Sequence, residues 1–406
     1  MFRDFLFLEK ILNIARKLIP RPVFEFFQPW YYRFLALSGA VVFGFPSRKI
    51  KVIGVTGTKG KSTTVFLITK FLEEAGYKVA AIGSLGYKIG DKEWPNNLKM
   101  TMPGRWKIHN FLSQAVRAGC QFAVLEITSE GIKQKRHLGI KFDAAVFTNL
   151  EKEHIESHGS FENYYKAKQE LFKKTENIHI LNTDSPYFDL FSKFLAKKKF
   201  FYSLKNDFRF KTGLQGDFNK LNILAAVRTV ESYRVNNETI QKALDKIKNI
   251  PGRLEFIEAG QNFKIVVDYA HTPGSLEAVY KTLRPKTKKL ICILGAAGGG
   301  RDRWKRPIFG ELAEKYCDHI ILTDEDPYDE PSEKIIEDVA SGVKNKNKLD
   351  IIIDRRKAIK KALTSAGKND TIVIIGKGSE NSIAVAKGKK IPWSDKNVIL
   401  EEINLK

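Results

Sequence analysis

Cysteine is scarce: three residues, Cys120, Cys292 and Cys317, in 406. Their wide spacing argues against a disulfide framework and a local cysteine zinc site, and it fits a reducing cytoplasm. Long apolar runs are also lacking. The uncharged run from Phe34 to Pro46 is shorter than the ~20 residues that cross a bilayer, and no small-residue cleavage site follows a compact apolar segment. Internal repeats, zinc-finger spacings and RNA-recognition signatures do not occur. Acidic residues are in deficit, 46 Asp and Glu against 69 Lys and Arg, a net charge of +23. The basic residues are spread in short runs, so the charge describes a solvated surface rather than a nucleic-acid arm. With 43% hydrophobic and 28% charged residues the chain is globular, and its length suits two or three domains.

Residues 1–48 differ from the rest. Phe2, Phe5, Leu8, Ile11, Leu12, Ala15 and Leu18 recur at helical spacing among Arg3, Lys10, Arg16 and Lys17, the pattern of a basic amphipathic helix. Pro20 and Pro22 interrupt it, and an aromatic-rich stretch follows. A helical pair packed on the body is the first expectation; a peripheral membrane contact is the second.

From Ile50 onward short Val/Ile/Leu runs alternate with amphipathic stretches. Strands are expected at 50–55, 122–128, 144–148, 179–181, 264–269, 290–294, 319–323, 351–354 and 371–375, and helices at 63–75, 107–118 and 275–283. Continuous apolar strands between helices indicate a doubly wound α/β fold with mainly parallel sheets. A break at Asn249-Ile250-Pro251-Gly252 divides the body into blocks 49–249 and 250–406.

The segment Gly54–Thr64 follows a strand and opens a helix. Gly57 and Gly60 let the backbone wrap an anion, Thr58 and the helix N-terminus aim N–H groups at it, Lys61 reaches terminal phosphates, and Ser62 or Thr63 can hold Mg²⁺. Glu126 ends the strand beside this loop, a natural metal position. His154 follows a third strand end, placed to join Glu126 on a second Mg²⁺.

These motifs, in this order, resemble the Mur ligases, and among them the enzymes adding the third residue of the peptidoglycan stem peptide. The matching segments continue through Thr101–Pro103, Glu126–Ser129, Gln134–Arg136, Phe147–Leu150, Tyr164–Lys168, Gly216–Asn222, Pro251–Glu255, Asp268–Pro273, Gly299–Pro307, Asp354–Arg356 and Gly376–Glu380. The resemblance implies a central P-loop ATPase domain, a C-terminal Rossmann-like domain that binds the amino acid, and an ATP-dependent ligase. Such an enzyme phosphorylates a carboxylate and lets an amine displace the phosphate. It implies two Mg²⁺, with Lys168 matching a lysine carbamylated by CO₂, and Ser62, Glu126, His154 and Lys168 as metal ligands. Asn219 and Asn222 match the adenine side, and Arg253 and Asp268 match positions near ATP. Thr101, Thr128, Gln134 and Arg136 match contacts to a UDP-MurNAc-dipeptide-like acceptor; Gly376 and Glu380 match the backbone end of the amino acid. The chain is expected to be a cytoplasmic monomer that binds no nucleic acid.

The segment before the phosphate loop is shorter than the family's N-terminal domain, which leaves a lipid-linked acceptor open. The Asp-Asn-Pro-Arg of diaminopimelate-adding enzymes reads Glu325-Asp326-Pro327-Tyr328 here. Tyr328 brings no charge and Asp326 brings an acid, which favours a side chain ending in an amine, such as L-lysine or ornithine; Arg301 or Arg303 is the alternative source of a cation. Rival readings are a folylpolyglutamate-type ligase and a basic P-loop ATPase acting on nucleic acid.

Overall fold

A computed structural model describes residues 21–96, 100–153 and 155–404. The expected helix over 2–18 lies outside them. The first described element is helix α1 (Arg21–Val42), with Pro29 inside it. Pro22 does not break it, because proline's missing N–H costs nothing in a first turn.

The first sheet has eight strands: β1 (Lys51–Thr56), β2 (Val79–Gly83), β3 (Gly86–Ile89), β4 (Lys92–Trp94), β5 (Phe122–Glu126), β6 (Ala144–Phe147), β7 (Ile178–Asn182) and β8 (Lys198–Tyr202). Their order is β4-β3-β2-β5-β1-β6-β7-β8. All neighbours are parallel except at β3 and β4. β1 is central and apolar on both faces, with Val52, Ile53 and Val55 fully buried. Helix α2 (Lys61–Glu74) leaves its C-terminal end and packs against α6 (Asp217–Glu231), where Ala225 and Ala226 allow close approach. Helices α3 (Arg105–Arg117) and α5 (Phe161–Lys173) contribute Leu112, Leu171 and Phe172 to the core on the other face, and a short helix α4 (Ser129–Lys133) follows β5.

The second sheet contains β9 (Glu255–Phe256), β10 (Lys264–Asp268), β11 (Leu290–Leu294), β12 (His319–Leu322), β13 (Leu349–Ile351) and β14 (Thr371–Ile375), in the order β13-β12-β11-β14-β10-β9. It is parallel apart from β9. Helices α7 (Pro273–Leu283) and α8 (Lys305–Tyr316) cover one face. A two-stranded ribbon, β15 (Ser382–Ala384) and β16 (Lys390–Pro392), follows. The fold is therefore the expected α/β class with mainly parallel sheets.

Two expected strands are shorter for a local reason. The strand from Phe122 stops at Glu126 because Thr128 caps α4, accepting from Gly131 N. The strand expected at 351–354 lies earlier, at Leu349–Ile351, and Asp354 instead caps the helix Arg355–Ser365.

The cysteine expectation is corrected. Cys292 of β11 and Cys317, just after α8, are joined by a disulfide, with Cα atoms 6.1 Å apart. The α8 crossover returns the chain to β12, paired with β11, so residues 25 apart in sequence meet. Cysteine spacing therefore no longer supports a reducing compartment. Cys120 is free and buried.

Candidate active site

A cleft of about 1200 Å³ lies between the carboxyl ends of the two sheets, where open α/β sheets bind ligands. Thr58, Gly60, Lys61, Ser62, Thr63, Thr101, Glu126, Thr128, Gln134, Arg136, Asn219, Asn222, Arg253, Asp268, Arg301, Asp326, Tyr328 and Glu380 all line it. Lys168 sits behind the phosphate loop, against Gly57 O, and Gly376 lines a small adjoining cavity with Arg301 and Glu325. His154 lies outside the described residues.

The phosphate loop tolerates no side chain at two points. A Cβ on Gly57 would come within 1.9 Å of Thr148 Oγ1, and one on Gly60 within 2.1 Å of Asn222 Oδ1. The loop is laced to the segment after β6: Thr58 N donates to Asn149 O, Lys59 N to Asn149 Oδ1, and Thr148 Oγ1 to Lys59 O. Thr58 Oγ1 also lies 3.0 Å from Tyr164 OH. Thr148, Asn149 and Tyr164 thus hold the cradle's shape.

Two lysines converge there. Lys61 Nζ donates to Gly57 O at 3.1 Å and to Thr58 O at 2.8 Å. Lys168 Nζ donates to Gly57 O at 2.7 Å and stands over the Tyr164 ring. Lys168 is buried, which pushes its amine well below the ordinary lysine range; the neighbouring Lys61 pushes the same way and Glu126 opposes. Burial also lowers Lys61, with Glu126 opposing and Arg253 reinforcing. Buried Glu126 accepts from Ser84 N at 2.9 Å, and Ser84 Oγ lies 3.1 Å from Thr101 Oγ1.

Among the described residues no cluster of three His, Cys, Asp or Glu side chains stands ready for a metal. The set fits a hard cation once Lys168 presents oxygen, and a buried neutral amine is the species that adds CO₂. Gly57 and Gly60 pack so closely on Thr148 and Asn222 that only glycine keeps the loop's curve; its open face, lined by Thr58, Lys61, Ser62 and Thr63, is where a phosphate fits. Asn219 Oδ1, buried without a partner among the described residues, is an acceptor for a ligand amine.

The second sheet reaches across. Arg253 Nη2 donates to Ser62 Oγ at 3.4 Å, and its guanidinium stacks on Tyr269. Asp268 is held by Leu254 N and Ala270 N, and burial raises its carboxyl above the usual range. Lys305 Nζ bridges Glu153 Oε1 at 3.1 Å and His271 O at 3.0 Å. This buried pair ties the two halves together. Lys305 stood within a matching motif, but its partner is 152 residues away, and no local signal names it.

At one end of the cleft Arg136 donates to Met102 O and Gln134 Oε1, both at 2.6 Å. Behind it Arg105, which the sequence did not single out, donates to Gln134 O and stacks 3.6 Å from the Tyr32 ring of α1. Burial lowers the Arg105 pKa to about 10, Tyr32 opposing and Arg136 reinforcing. Arg105→Ala should raise the KM for the acceptor about tenfold, the order of one lost charge-assisted hydrogen bond, and leave the KM for ATP unchanged; steady-state kinetics with each varied in turn checks this.

At the opposite end Asp326 Oδ1 already accepts from Lys377 Nζ at 2.9 Å and Ala384 N at 2.6 Å. The free acid expected there is instead engaged. Glu325 is the less satisfied carboxyl, pushed up to about 7 by burial and by Asp326. Arg301 hydrogen-bonds the Tyr328 side chain, so a cation does stand in this pocket.

Residues 55–230 match the Mur ligase middle domain, and residues 252–378 match the Mur ligase glutamate ligase domain. The chain is 39% identical over 392 residues to the UDP-N-acetylmuramoyl-L-alanyl-D-glutamate–2,6-diaminopimelate ligase of Aquifex aeolicus, covering 90% of this chain and 80% of that one. It is 38% identical over 410 residues to the UDP-N-acetylmuramyl-tripeptide synthetase of Borrelia garinii, covering 91% and 80%. A solved UDP-N-acetylmuramoyl-L-alanyl-D-glutamate–2,6-diaminopimelate ligase superposes with a TM-score of 0.60 at 29% identity, covering 88% of this chain and 78% of that one. A Mycobacterium tuberculosis folylpolyglutamate synthase shares the fold alone, with a TM-score of 0.69 at 15% identity, covering 85% and 91%.

Proposed function

Since this chain belongs to the Mur ligase family of ATP-dependent, amide-forming ligases, we propose that it adds a diamino acid to UDP-MurNAc-L-Ala-D-Glu in the cytoplasm, during peptidoglycan precursor synthesis. The observation that carries the reading is the joint placement of the phosphate loop, Lys61, Glu126 and buried Lys168 in one cleft with an acceptor end and an amino-acid end. The acceptor's carboxylate takes the terminal phosphoryl of ATP, and the incoming amine displaces that phosphate.

In this proposal Ser62, Glu126, His154 and carbamylated Lys168 hold two Mg²⁺, which supply charge neutralisation. Lys61 leaves the Gly57 and Thr58 carbonyls for the nucleotide's phosphates. Lys168 adds CO₂ through its neutral amine, losing a proton to become an anionic oxygen donor. Asn219 and Asn222 border the base, and Arg253 and Asp268 close on ATP from the second sheet. Thr101, Thr128, Gln134 and Arg136 hold the acceptor. Such a site works by positioning and electrostatics rather than a protein nucleophile.

Lys377 engages Asp326 and Glu380, and Lys305 engages Glu153, so Glu325 is the buried carboxyl at the amino-acid end left without an ion pair among the described residues, which favours a side chain carrying an amine. We assign L-lysine ahead of meso-diaminopimelate, with Glu325 rather than Asp326 as the acid that meets the distal ammonium. Glu325 ionises as pH rises through about 7, so the KM for L-lysine should fall between pH 6 and 8. ATP turnover and product mass with UDP-MurNAc-L-Ala-D-Glu and a panel of amino acids test the whole reading. Efficient meso-diaminopimelate addition, lost in Arg301→Ala, would transfer the side-chain contact to Arg301. ATP turnover dependent on nucleic acid would end the ligase assignment.

A further inference from the structure

Among the described residues helix α1 packs one of its two apolar faces. On the inner face Ala36 and Ala40 are buried, Trp106 Nε1 of α3 donates to Ser38 Oγ at 3.1 Å, and Arg105 stacks on Tyr32. These contacts fix the helix's rotation. The outer face then presents Phe26, Trp30, Phe34, Leu37 and Val41, spaced by four, four, three and four residues, with Phe27 and Val42 beside them. All seven are between 51% and 72% exposed. At 1.5 Å per residue the stripe runs ~22 Å. Between Phe26 and Val42 the only charged residue is Arg33, whose guanidinium lies 5.5 Å from the Trp30 ring centroid.

A stripe this long on a folded surface marks a contact. Charge selects the partner. The first 51 residues hold nine Lys and Arg against three Asp and Glu, and the chain carries +23. Two copies of such a chain repel each other, whereas an anionic surface attracts it. Aromatic side chains on one face with arginine at their edge suit the headgroup boundary of a bilayer. Among the described residues no helix is long and apolar enough to cross a membrane, so the helix would lie in the interface plane.

We propose that the outer face of α1 is a docking surface for an anionic lipid bilayer. The inner face of the same helix reaches Arg105 and, through Gln134, the Arg136 end of the cleft, so docking sets that end of the cleft near the headgroups. The proposal does not depend on which acceptor or amino acid the enzyme uses.

The test is sedimentation of the 406-residue chain with vesicles of equal phosphatidylglycerol and phosphatidylcholine, and with pure phosphatidylcholine. It is repeated for Trp30→Glu/Phe34→Glu, with thermal melts confirming the fold. The expected result is at least tenfold preference for the anionic vesicles, reduced at 0.5 M salt. The double variant should lose tenfold or more of that binding while keeping its ligase rate in solution. Equal binding by the variant would place the contact on the general basic surface and overturn the proposal. So would absence of vesicle binding. A dimer broken by the variant would then make a second copy the occupant; stripe exposure only after removal of residues 1–20 would give it to that segment.

Discussion

Lys168→Ala is expected to reduce ligation by two to three orders of magnitude, about 3–4 kcal/mol of barrier, the scale of a lost preorganised electrostatic group. The argument starts from burial. A lysine 2% exposed, hydrogen-bonded to Gly57 O and beside Lys61, cannot hold its proton at the ordinary lysine pKa. In the proposed mechanism the neutral amine adds CO₂, and the carbamate would turn a site crowded with cations into one able to hold a metal. Acetate or bicarbonate should restore part of the variant's rate by supplying the missing oxygen donor. The wild-type rate should fall in CO₂-depleted buffer and return with bicarbonate. As pH falls through the lowered pKa the amine protonates and stops adding CO₂, so the acid limb of the rate profile should steepen when CO₂ is scarce. Wild-type activity in Lys168→Ala without any added anion would refute the carbamate role. A melting temperature lowered in proportion to the rate would reduce Lys168 to a support for the loop.

Lys61→Ala should lower kcat by a similar factor, about 2–4 kcal/mol, with little change in melting temperature. Among the described residues its ammonium donates to the carbonyls of Gly57 and Thr58 in its own loop, so its removal leaves no distant hydrogen-bond acceptor unsatisfied. The loop keeps its shape through Asn149, Thr148 and Tyr164. Lys61→Arg distinguishes charge from geometry: the bulkier planar guanidinium keeps the charge but not the point-charge fit, and should recover less than a tenth of the lost rate. A variant that unfolds in step with its loss of activity would count against a role in phosphoryl transfer.

The fold class was legible because its cause is local. Leu290–Leu294 is apolar throughout and Thr371–Ile375 at every position but its first, which only a strand covered on both faces accommodates. The phosphate loop was legible for the same reason: Gly57, Gly60, Lys61 and Ser62 are near neighbours in the chain and act as one backbone unit. Short or edge strands such as β3, β4, β15 and β16 were not expected, since three or four residues carry no distinctive period. That Asp326, the acidic partner expected for an amino-acid side chain, is already engaged by Lys377 and Ala384 N was not legible, because it is a fact of the second sheet's closure.

Sequence alone determined which residue types stand in which order: an α/β chain, a phosphate loop, and a series of motifs shared with one family of ligases. Tertiary structure alone decided what those residues are as chemical species. Lys168 loses its ordinary hold on a proton only where packing removes water from it. Lys305 finds Glu153 only when two sheets meet, Cys292 finds Cys317 only when a crossover returns, and α1 shows an apolar outer face only once α3 has taken the inner one. Desolvation and proximity between distant segments depend on the whole packed molecule, whereas backbone propensity and spacing are properties of a few consecutive residues.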